Sequence, residues 1–195
     1  PIFHGVAALN NYGICACDSR RLTAVKLPEE ERPSEDYIVP LYFLKQTKSD
    51  VKIVQASENS VLYAESDGVY ARLVDGQFPN ITQVIPNSFE GSISIDMEKL
   101  GKIVKATEKP SYKVIFDCET EETAISNETV IKDVFTKSRE DLDIKVAFNS
   151  VHVQDAMKNC NSNTLHLTGS KSPACVINDN VTAVIMPIQF KGENE

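Results

Sequence analysis

Apolar and polar positions along the chain follow one plan several times over. In its most complete form, a short apolar strand precedes a helix, and three strands with alternating apolar and polar positions follow. Alternation with a period of two is typical of half-buried strands, whereas apolar positions three and four apart indicate an amphipathic helix. Polar clusters such as residues 57–59 and 65–68 mark turns. The pattern predicts an α+β fold with mostly antiparallel sheets.

Three copies of this repeat are complete. They start at residues 37, 92 and 143, and their helices are predicted over 41–48, 96–109 and 149–159. The strands that follow are predicted at 51–55, 61–65 and 69–74, at 112–118, 122–126 and 131–136, and at 174–177 and 181–185. Strands over 5–9, 13–17 and 22–25 form the rear part of a fourth copy. The alternative is that many short strands and a few helices only look repetitive.

Pairs of repeats suggest a two-domain organisation. Two repeats side by side would bring their helices onto one face and leave antiparallel sheets outside. The length of 195 residues suits two domains of about 100 residues each. We therefore predict domains over 1–86 and 87–190, joined near Pro86, and a tail over 191–195.

The predicted helix over 96–109 has an apolar face and a basic face. Asp96 suits the N-cap, and the apolar side chains that share one face are Met97, Leu100, Ile103 and Val104. Lysines occupy the other face and recur on the other predicted helices: Lys99, Lys102, Lys105, Lys109, Lys45, Lys48 and Lys158. Lysines usually only solvate an exposed helix face. Because the acidic runs fall in turns instead, a molecule with basic helices is the second interpretation.

Composition excludes several classes of protein. With 42% hydrophobic and 25% charged residues the chain is an ordinary globular sequence, and its net charge of −8 argues against a surface that binds nucleic acid all over. It contains neither an apolar run long enough for a membrane helix nor a signal-peptide pattern. Five cysteines in mostly apolar surroundings favour buried free thiols in a reducing cytoplasm over a zinc site built on Cys15 and Cys17 with His4.

No motif of enzyme chemistry stands out. The sequence contains no recognisable nucleophile motif, P-loop or dinucleotide fingerprint. The densest group of carboxylates, Asp117, Glu119, Glu121 and Glu122, could hold magnesium in a nuclease. It falls at a predicted hairpin turn without a supporting histidine, where such runs usually serve only solvation. We therefore expect no catalytic residue, no metal site and no cofactor.

The last predicted hairpin leads into an apolar segment that no later element covers. Strands over 174–185 are followed by Met186, Pro187, Ile188 and Phe190. Apolar side chains gathered at the surface often mark a docking site. This segment is therefore a candidate partner-binding surface.

Four short motifs are spread in order along the chain. They are Cys-Asp-Ser-Arg-Arg-Leu-Thr-Ala at 17–24, Val-Asp-Gly-Gln-Phe-Pro-Asn at 74–80 followed by Val-Ile-Pro at 84–86, Ala-Phe-Asn at 147–149 with Asp-Ala-Met at 155–157, and Met-Pro-Ile at 186–188. They resemble the Thr-Asp-Gly-His-Arg-Leu-Ala motif, the Asp-Gly-x-Phe-Pro-Asp joint, the final helix and the Met-Pro end of the bacterial sliding clamps, the beta subunits of DNA polymerase III. Each is modest alone, and four in this order are strong.

The resemblance implies a DNA-clamp fold and a non-catalytic processivity factor of DNA replication. Members of this family close head to tail into a ring around duplex DNA, with basic helices lining the hole and sheets outside. Phosphate contacts that ignore base identity let such a ring slide. The lysines that would face DNA are Lys45, Lys48, Lys99, Lys102, Lys105 and Lys158.

The resemblance also implies a peptide-binding cleft between the middle and last domains. DNA polymerase, clamp loader and repair proteins attach there through short, partly apolar peptides. Carried over by motif, the cleft residues would be Arg21, Leu22, Pro79, Val84, Asn149, His152, Pro173, Val184, Met186, Pro187 and Ile188. Apolar walls would bind the hydrophobic anchors, while Arg21 and Asn149 would fix the peptide backbone or a Gln side chain.

The chain also departs from the family. The first domain and the start of the middle one have no counterpart in these 195 residues, so this chain would not close the ring unaided. Lys105 and Ala106 stand where the family presents apolar interface residues, His152 where an aromatic ring is usual, and Gln83 where a basic residue is common. The alternative function is a stand-alone peptide-binding module that no longer encircles DNA.

Overall fold

The computed structural model describes residues 5–55, 61–106, 113–125 and 129–189. The chain divides into two compact units, unit 1 over Pro1–Asn80 and unit 2 over Ile81–Glu195. Within each unit, the registered strand pairs are antiparallel, as the alternation predicts. The domain limits expected from sequence, with a join at Pro86, stay a prediction. Among the described residues, no helix has the length and apolar character to cross a bilayer.

Unit 1 contains two small sheets and one short helix among its described residues. Its strands are β1 (Gly5–Leu9), β2 (Gly13–Cys17), β3 (Arg21–Lys26), β4 (Tyr37–Pro40), β5 (Lys52–Gln55), β6 (Leu62–Ser66) and β7 (Val69–Arg72), and its helix is α1 (Leu41–Leu44). The strand orders are β4-β1-β2-β3 and β5-β6-β7. A core cluster of Val39, Phe43, Ala64 and Ala71 connects β4, α1, β6 and β7.

Among its described residues, unit 2 has two sheets and two α-helices. Its strands are β8 (Gly91–Ile95), β9 (Lys113–Asp117), β10 (Glu122–Ile125), β11 (Thr129–Lys132), β12 (Phe135–Lys137), β13 (Lys145–Asn149), β14 (Thr164–Leu167), β15 (Ala174–Asn178) and β16 (Val181–Ile185), and its helices are α2 (Met97–Ala106) and α3 (Ser150–Cys160). The strand orders are β12-β8-β14-β15-β16 and β11-β10-β9-β13. The two helices lie beside each other, which confirms the prediction that paired repeats bring their helices side by side.

The two repeats of unit 2 exchange their first strands. β8 begins the second repeat but pairs with β14 of the last repeat. β13 begins the last repeat but pairs with β9 of the second. One core therefore serves both repeats, and it includes the fully buried side chains of Leu100 on α2, Phe116 on β9, Val153 on α3 and Leu165 on β14.

Side chains cap both helix starts of unit 2, and the cap at Asp96 was predicted. The Asp96 carboxylate accepts the N–H of Lys99 at 2.9 Å, so Asp96 caps α2. The Asn149 side chain accepts the N–H of Val151 at 2.9 Å and caps α3. The predicted end of the first of these helices, Lys109, lies outside the described residues.

Helix α1 is shorter than the predicted span of 41–48, which is therefore wrong at its C-terminal end. The N–H groups of Gln46 and Thr47 both donate to the Phe43 carbonyl, at 2.9 and 3.1 Å. Such mixed bonds tighten the last turn of a helix and end it. The regular helix is therefore confined to Leu41–Leu44.

The predicted single strand over 131–136 is also wrong. Two strands, β11 and β12, occupy this stretch and belong to different sheets. Asp133 lies between them with φ of 59°, a left-handed conformation that interrupts a strand and that aspartate adopts more readily than most residues. The chain thus changes sheets at Asp133.

Candidate functional site

Two predicted peptide contacts face each other at one end of the β15–β16 hairpin. Ala174 pairs with Ile185 at the end of this ladder. Pro173 precedes the first of these residues and Met186 follows the second, so both flank the last pair. Met186 is 40% exposed, which makes it the predicted apolar contact most open to a ligand.

The segment after β16 lies beside the start of α3. The N–H of Ile188 donates to the carbonyl of Ala147 at 2.7 Å, two residues before the cap of that helix. Pro187 and Ile188 are half-buried, as is His152 on the first turn of α3. Unit 2 therefore brings together the motif residues of its C-terminal segment and those of its last helix.

Asn149 has a structural role at this junction. Its side-chain oxygen is engaged by the N–H of Val151 as the cap of α3. The group that it could offer to a peptide is therefore the side-chain amide nitrogen, which is a donor. That donor suits a peptide carbonyl or the oxygen of a Gln side chain.

Four of the predicted apolar contacts are less open. Val184 and Leu22 are 1% and 4% exposed, while Pro79 and Val84 are half-buried. Val84 follows a single 3₁₀ turn and donates its N–H to Ile81 at 3.0 Å. These side chains therefore offer a ligand less accessible surface than Met186 does.

Arg21, the basic residue of the first motif, is held by a turn in unit 1. Its Nε lies 3.0 Å from an Asp18 carboxylate oxygen, and the backbone N–H groups of Arg20 and Arg21 donate to the other oxygen at 2.8 and 3.0 Å. Burial alone would raise the pKa of Asp18, but these donors together hold it below its ordinary value. The turn therefore fixes the position of the Arg21 side chain.

Val151 is a surface residue that the sequence analysis did not single out. It lies on the first turn of α3 and is 38% exposed. The buried positions of that helix are Ser150, Val153, Ala156, Met157 and Cys160. An apolar residue outside the buried stripe of α3 is the sequence signal that could have identified Val151. Its exposed side chain adds apolar surface near the start of α3.

The six lysines assigned to a DNA-facing role are all exposed, namely Lys45, Lys48, Lys99, Lys102, Lys105 and Lys158. Leu100 is buried in the core of unit 2, and Met97 and Val104 pack against it, so α2 has its apolar face inward as predicted. Two of the lysines have neighbours of their own: Lys102 lies 2.5 Å from Glu98, and Lys99 donates to the Asp133 carbonyl at 3.0 Å.

The acidic hairpin between β9 and β10 is paired with lysines. Asp117 lies 2.8 Å from Lys145, and Glu121 and Glu122 each lie 3.3 Å from Lys137 and Lys132 respectively. Burial tends to raise the pKa of Asp117, but Lys145 and Thr120 donate to it and keep the pKa below its ordinary value. Within the described ranges, no group of three or more potential ligands is arranged to hold a metal ion.

The cysteines are mostly interior residues. Cys15, Cys118, Cys160 and Cys175 are buried free thiols, and Cys17 is half-buried. Burial raises the pKa of Cys15 and Cys175 to about 12 and that of Cys118 to about 11. These thiols are therefore protonated at neutral pH, as packing residues are.

Comparison with known proteins relates this geometry to a family. No family model matches the chain. The chain is 28% identical to the beta sliding clamp of Staphylococcus aureus, over 97% of this chain and 57% of that relative. It matches the structure of the DNA polymerase III beta subunit of Thermotoga maritima with a TM-score of 0.74 and 20% identity, over 96% of this chain and 58% of the other. The chain is thus similar to beta sliding clamps over nearly all of its length.

The clamp fold expected from the four motifs is therefore confirmed. A sliding clamp of Pseudomonas aeruginosa, in a structure bound to griselimycin, matches with a TM-score of 0.70 and 18% identity over 97% of this chain and 58% of that clamp. The chain spans little more than half the length of the curated sliding clamps it matches.

Proposed function

We propose that the chain is part of a non-catalytic processivity factor of DNA replication, a cytoplasmic sliding clamp that tethers polymerase to duplex DNA. Its relation to sliding clamps over nearly all of its length supports this function. The observation that carries the proposal is the position of segment 186–188 beside the start of α3, where the Ile188 N–H donates to the Ala147 carbonyl. A clamp acts through partners, and such a surface is what a partner peptide needs.

The occupant that we propose for this surface is a short peptide with a Gln followed by Leu and Phe anchors. Met186, Pro187, Ile188 and the exposed Val151 offer apolar contacts for the anchors. The amide nitrogen of Asn149 would donate to the Gln side chain. DNA polymerase, clamp loader and repair proteins are the proposed carriers of such peptides.

Calorimetry with a synthetic peptide of this type tests the site. We expect a dissociation constant of roughly 1 μM, or about −8 kcal/mol. Deleting residues 186–195 should abolish binding, whereas deleting only 191–195 should preserve or tighten it because no predicted anchor is lost.

Point variants show whether a deletion abolishes binding only because it unfolds the protein. Met186→Ala should weaken binding about tenfold, the effect of about 1.4 kcal/mol at a buried interface contact. Val130→Ala, at a residue 51% exposed elsewhere in unit 2, should leave the affinity unchanged. Equal affinity in the Met186 variant and the intact chain would place the peptide site elsewhere.

A further inference from the structure

The loop between β14 and β15 of unit 2 carries Pro173, one of the predicted peptide contacts. It comprises residues 168–173, from the end of β14 to the start of β15. The registered pairing of these two strands stops at His166 and Cys175. Beyond that pair, the hydroxyl of Thr168 donates a hydrogen bond to the carbonyl of Pro173. This bond joins the first residue of the loop to the last and so closes the loop.

The backbone that carries Thr168 is well supported. Leu167, the residue before it, is 1% exposed and belongs to the core of unit 2. The N–H of Glu90 donates to the Leu167 carbonyl at 2.8 Å. The ring of Phe89 lies against that of His166, with 5.0 Å between the ring centroids. The Thr168 side chain therefore starts from a position that the core and residues 89–90 both hold.

Pro173 has one backbone group for hydrogen bonding, its carbonyl. Proline lacks an N–H, and its ring fixes φ near −65°. The chain after it is fixed because Ala174 pairs with Ile185. The Thr168 hydroxyl binds the carbonyl from the other side of the loop. Together these attachments hold the proline at the end of the β15–β16 hairpin.

This end of the hairpin includes the predicted contact that is most open to a ligand. Pro173 and Met186 flank the last pair of the ladder, Ala174 with Ile185. Met186 is 40% exposed, and Pro173 is half-buried. Apolar pockets bind their ligands through walls that are already in place before the ligand arrives. A proline that moved away from the hairpin end would leave the peptide with one wall fewer.

We infer that Thr168 is a positioning residue of the proposed peptide site, whose hydroxyl holds Pro173 where its ring can contact an apolar anchor of the partner peptide. The inference rests on the proposed function and adds a residue that lies outside the four sequence motifs. Thr168 acts through Pro173 and needs no contact of its own with the peptide.

Calorimetry with the synthetic Gln-Leu-Phe peptide and the intact chain tests this role. Thr168→Val removes the hydroxyl and nearly keeps the shape of the side chain. It should weaken binding about fivefold, the equivalent of about 1 kcal/mol. Thr168→Ser keeps the hydroxyl and should retain the affinity of the intact chain. The matched control is Thr164→Val, the same exchange at a half-buried position of β14, which should leave the affinity unchanged.

A double-mutant cycle tests whether Thr168 acts through the proline. Pro173→Ala should weaken binding about fivefold in the intact chain. In the Thr168→Val background the same change should have a much smaller effect, because the ring is then no longer held in place. Urea unfolding of each variant shows that it is folded. A bond that serves only the fold would lower the free energy of unfolding and leave the affinity for the peptide unchanged.

The outcomes separate this inference from the proposed function. If the peptide binds the intact chain and the Thr168→Val variant equally well, the positioning role is refuted and the peptide site stands. Additive effects of the two changes, or a serine variant as weak as the valine variant, would also refute the role. A peptide that does not bind the intact chain at all would refute the peptide site and this role together.

Discussion

Asp117 in the acidic hairpin forms an ion pair with a lysine of a neighbouring strand. Its side chain is 15% exposed, and Lys145 lies 2.8 Å away. The ion pair links the acidic hairpin to β13, the strand that carries Lys145.

Asp117 should stabilise unit 2 only while it is ionised. Because its pKa is held below the ordinary value, its contribution is complete above about pH 5 and is lost as the pH falls below about 4. We expect Asp117→Ala to lower the free energy of unfolding by about 1 kcal/mol at pH 7. Urea titrations at pH 7 and pH 3 measure this difference, which should be smaller at pH 3.

The exposed Glu119 provides the control for that measurement. Glu119→Ala should change stability by less than about 0.5 kcal/mol at either pH. A loss of stability in the Asp117 variant that is as large at pH 3 as at pH 7 would show that packing, not charge, accounts for it.

Local motifs predicted single residues well where the cause was local. Asp96 stands before an apolar helical pattern and caps α2 as predicted, whereas the cap that Asn149 forms on α3 was not predicted. The ion pair between Asp18 and Arg21 was not predicted, although the two residues are close in sequence, because it depends on the turn that brings the side chains together. The openness of Met186 and the burial of Val184 likewise depend on tertiary packing.

At the scale of elements, α3 combines a structural cap with a candidate binding group. Asn149→Ala should cost about 1 kcal/mol of stability because it removes the cap. Asn149→Asp keeps a cap acceptor but removes the amide donor. Urea unfolding should therefore separate the alanine variant from the intact chain and leave the aspartate variant close to it.

Peptide affinity should respond differently to the same two variants. Both lack the amide nitrogen, so both should bind the Gln-containing peptide several-fold more weakly in calorimetry. Full affinity in the folded aspartate variant would limit Asn149 to its capping role.

The element boundaries that the sequence did not predict have identifiable causes. Apolar residues lie on both sides of Asp133, which predicts a single strand over residues 131–136. The left-handed conformation at Asp133 divides this stretch into two strands. The sequence pattern does not show that these strands belong to different sheets. The early end of α1 arises in a similar way, from competing hydrogen bonds to the Phe43 carbonyl.

At the scale of the whole molecule, the net charge is negative, but basic side chains are concentrated on one helix. The chain carries a formal charge of −8, yet the exposed side of α2 carries Lys99, Lys102 and Lys105. We expect weak, sequence-independent binding to duplex DNA that falls steeply as salt rises. Anisotropy titrations of a labelled duplex at about 50 and 200 mM salt measure it.

Charge reversal tests which lysines are responsible. Replacing Lys99, Lys102 and Lys105 with glutamate should remove most of the binding, whereas Lys26→Glu, at an exposed position of β3, should change it little. Tight, salt-insensitive or sequence-specific binding would contradict the role assigned to the lysines. Cleavage that requires magnesium and disappears in Asp117→Ala would instead support a nuclease.

The exchange of first strands in unit 2 has a consequence for the order of events on the ribosome. β8 leaves the exit tunnel early, but its partner β14 is made some 70 residues later. Until then the apolar side of β8 and α2 has no complete core to join, and such non-local pairings are slow to form. The nascent unit therefore passes through a stage in which its apolar surface is exposed and can be bound by chaperones. The core can be completed only after the β15–β16 hairpin has been made, so folding should appear as a late step.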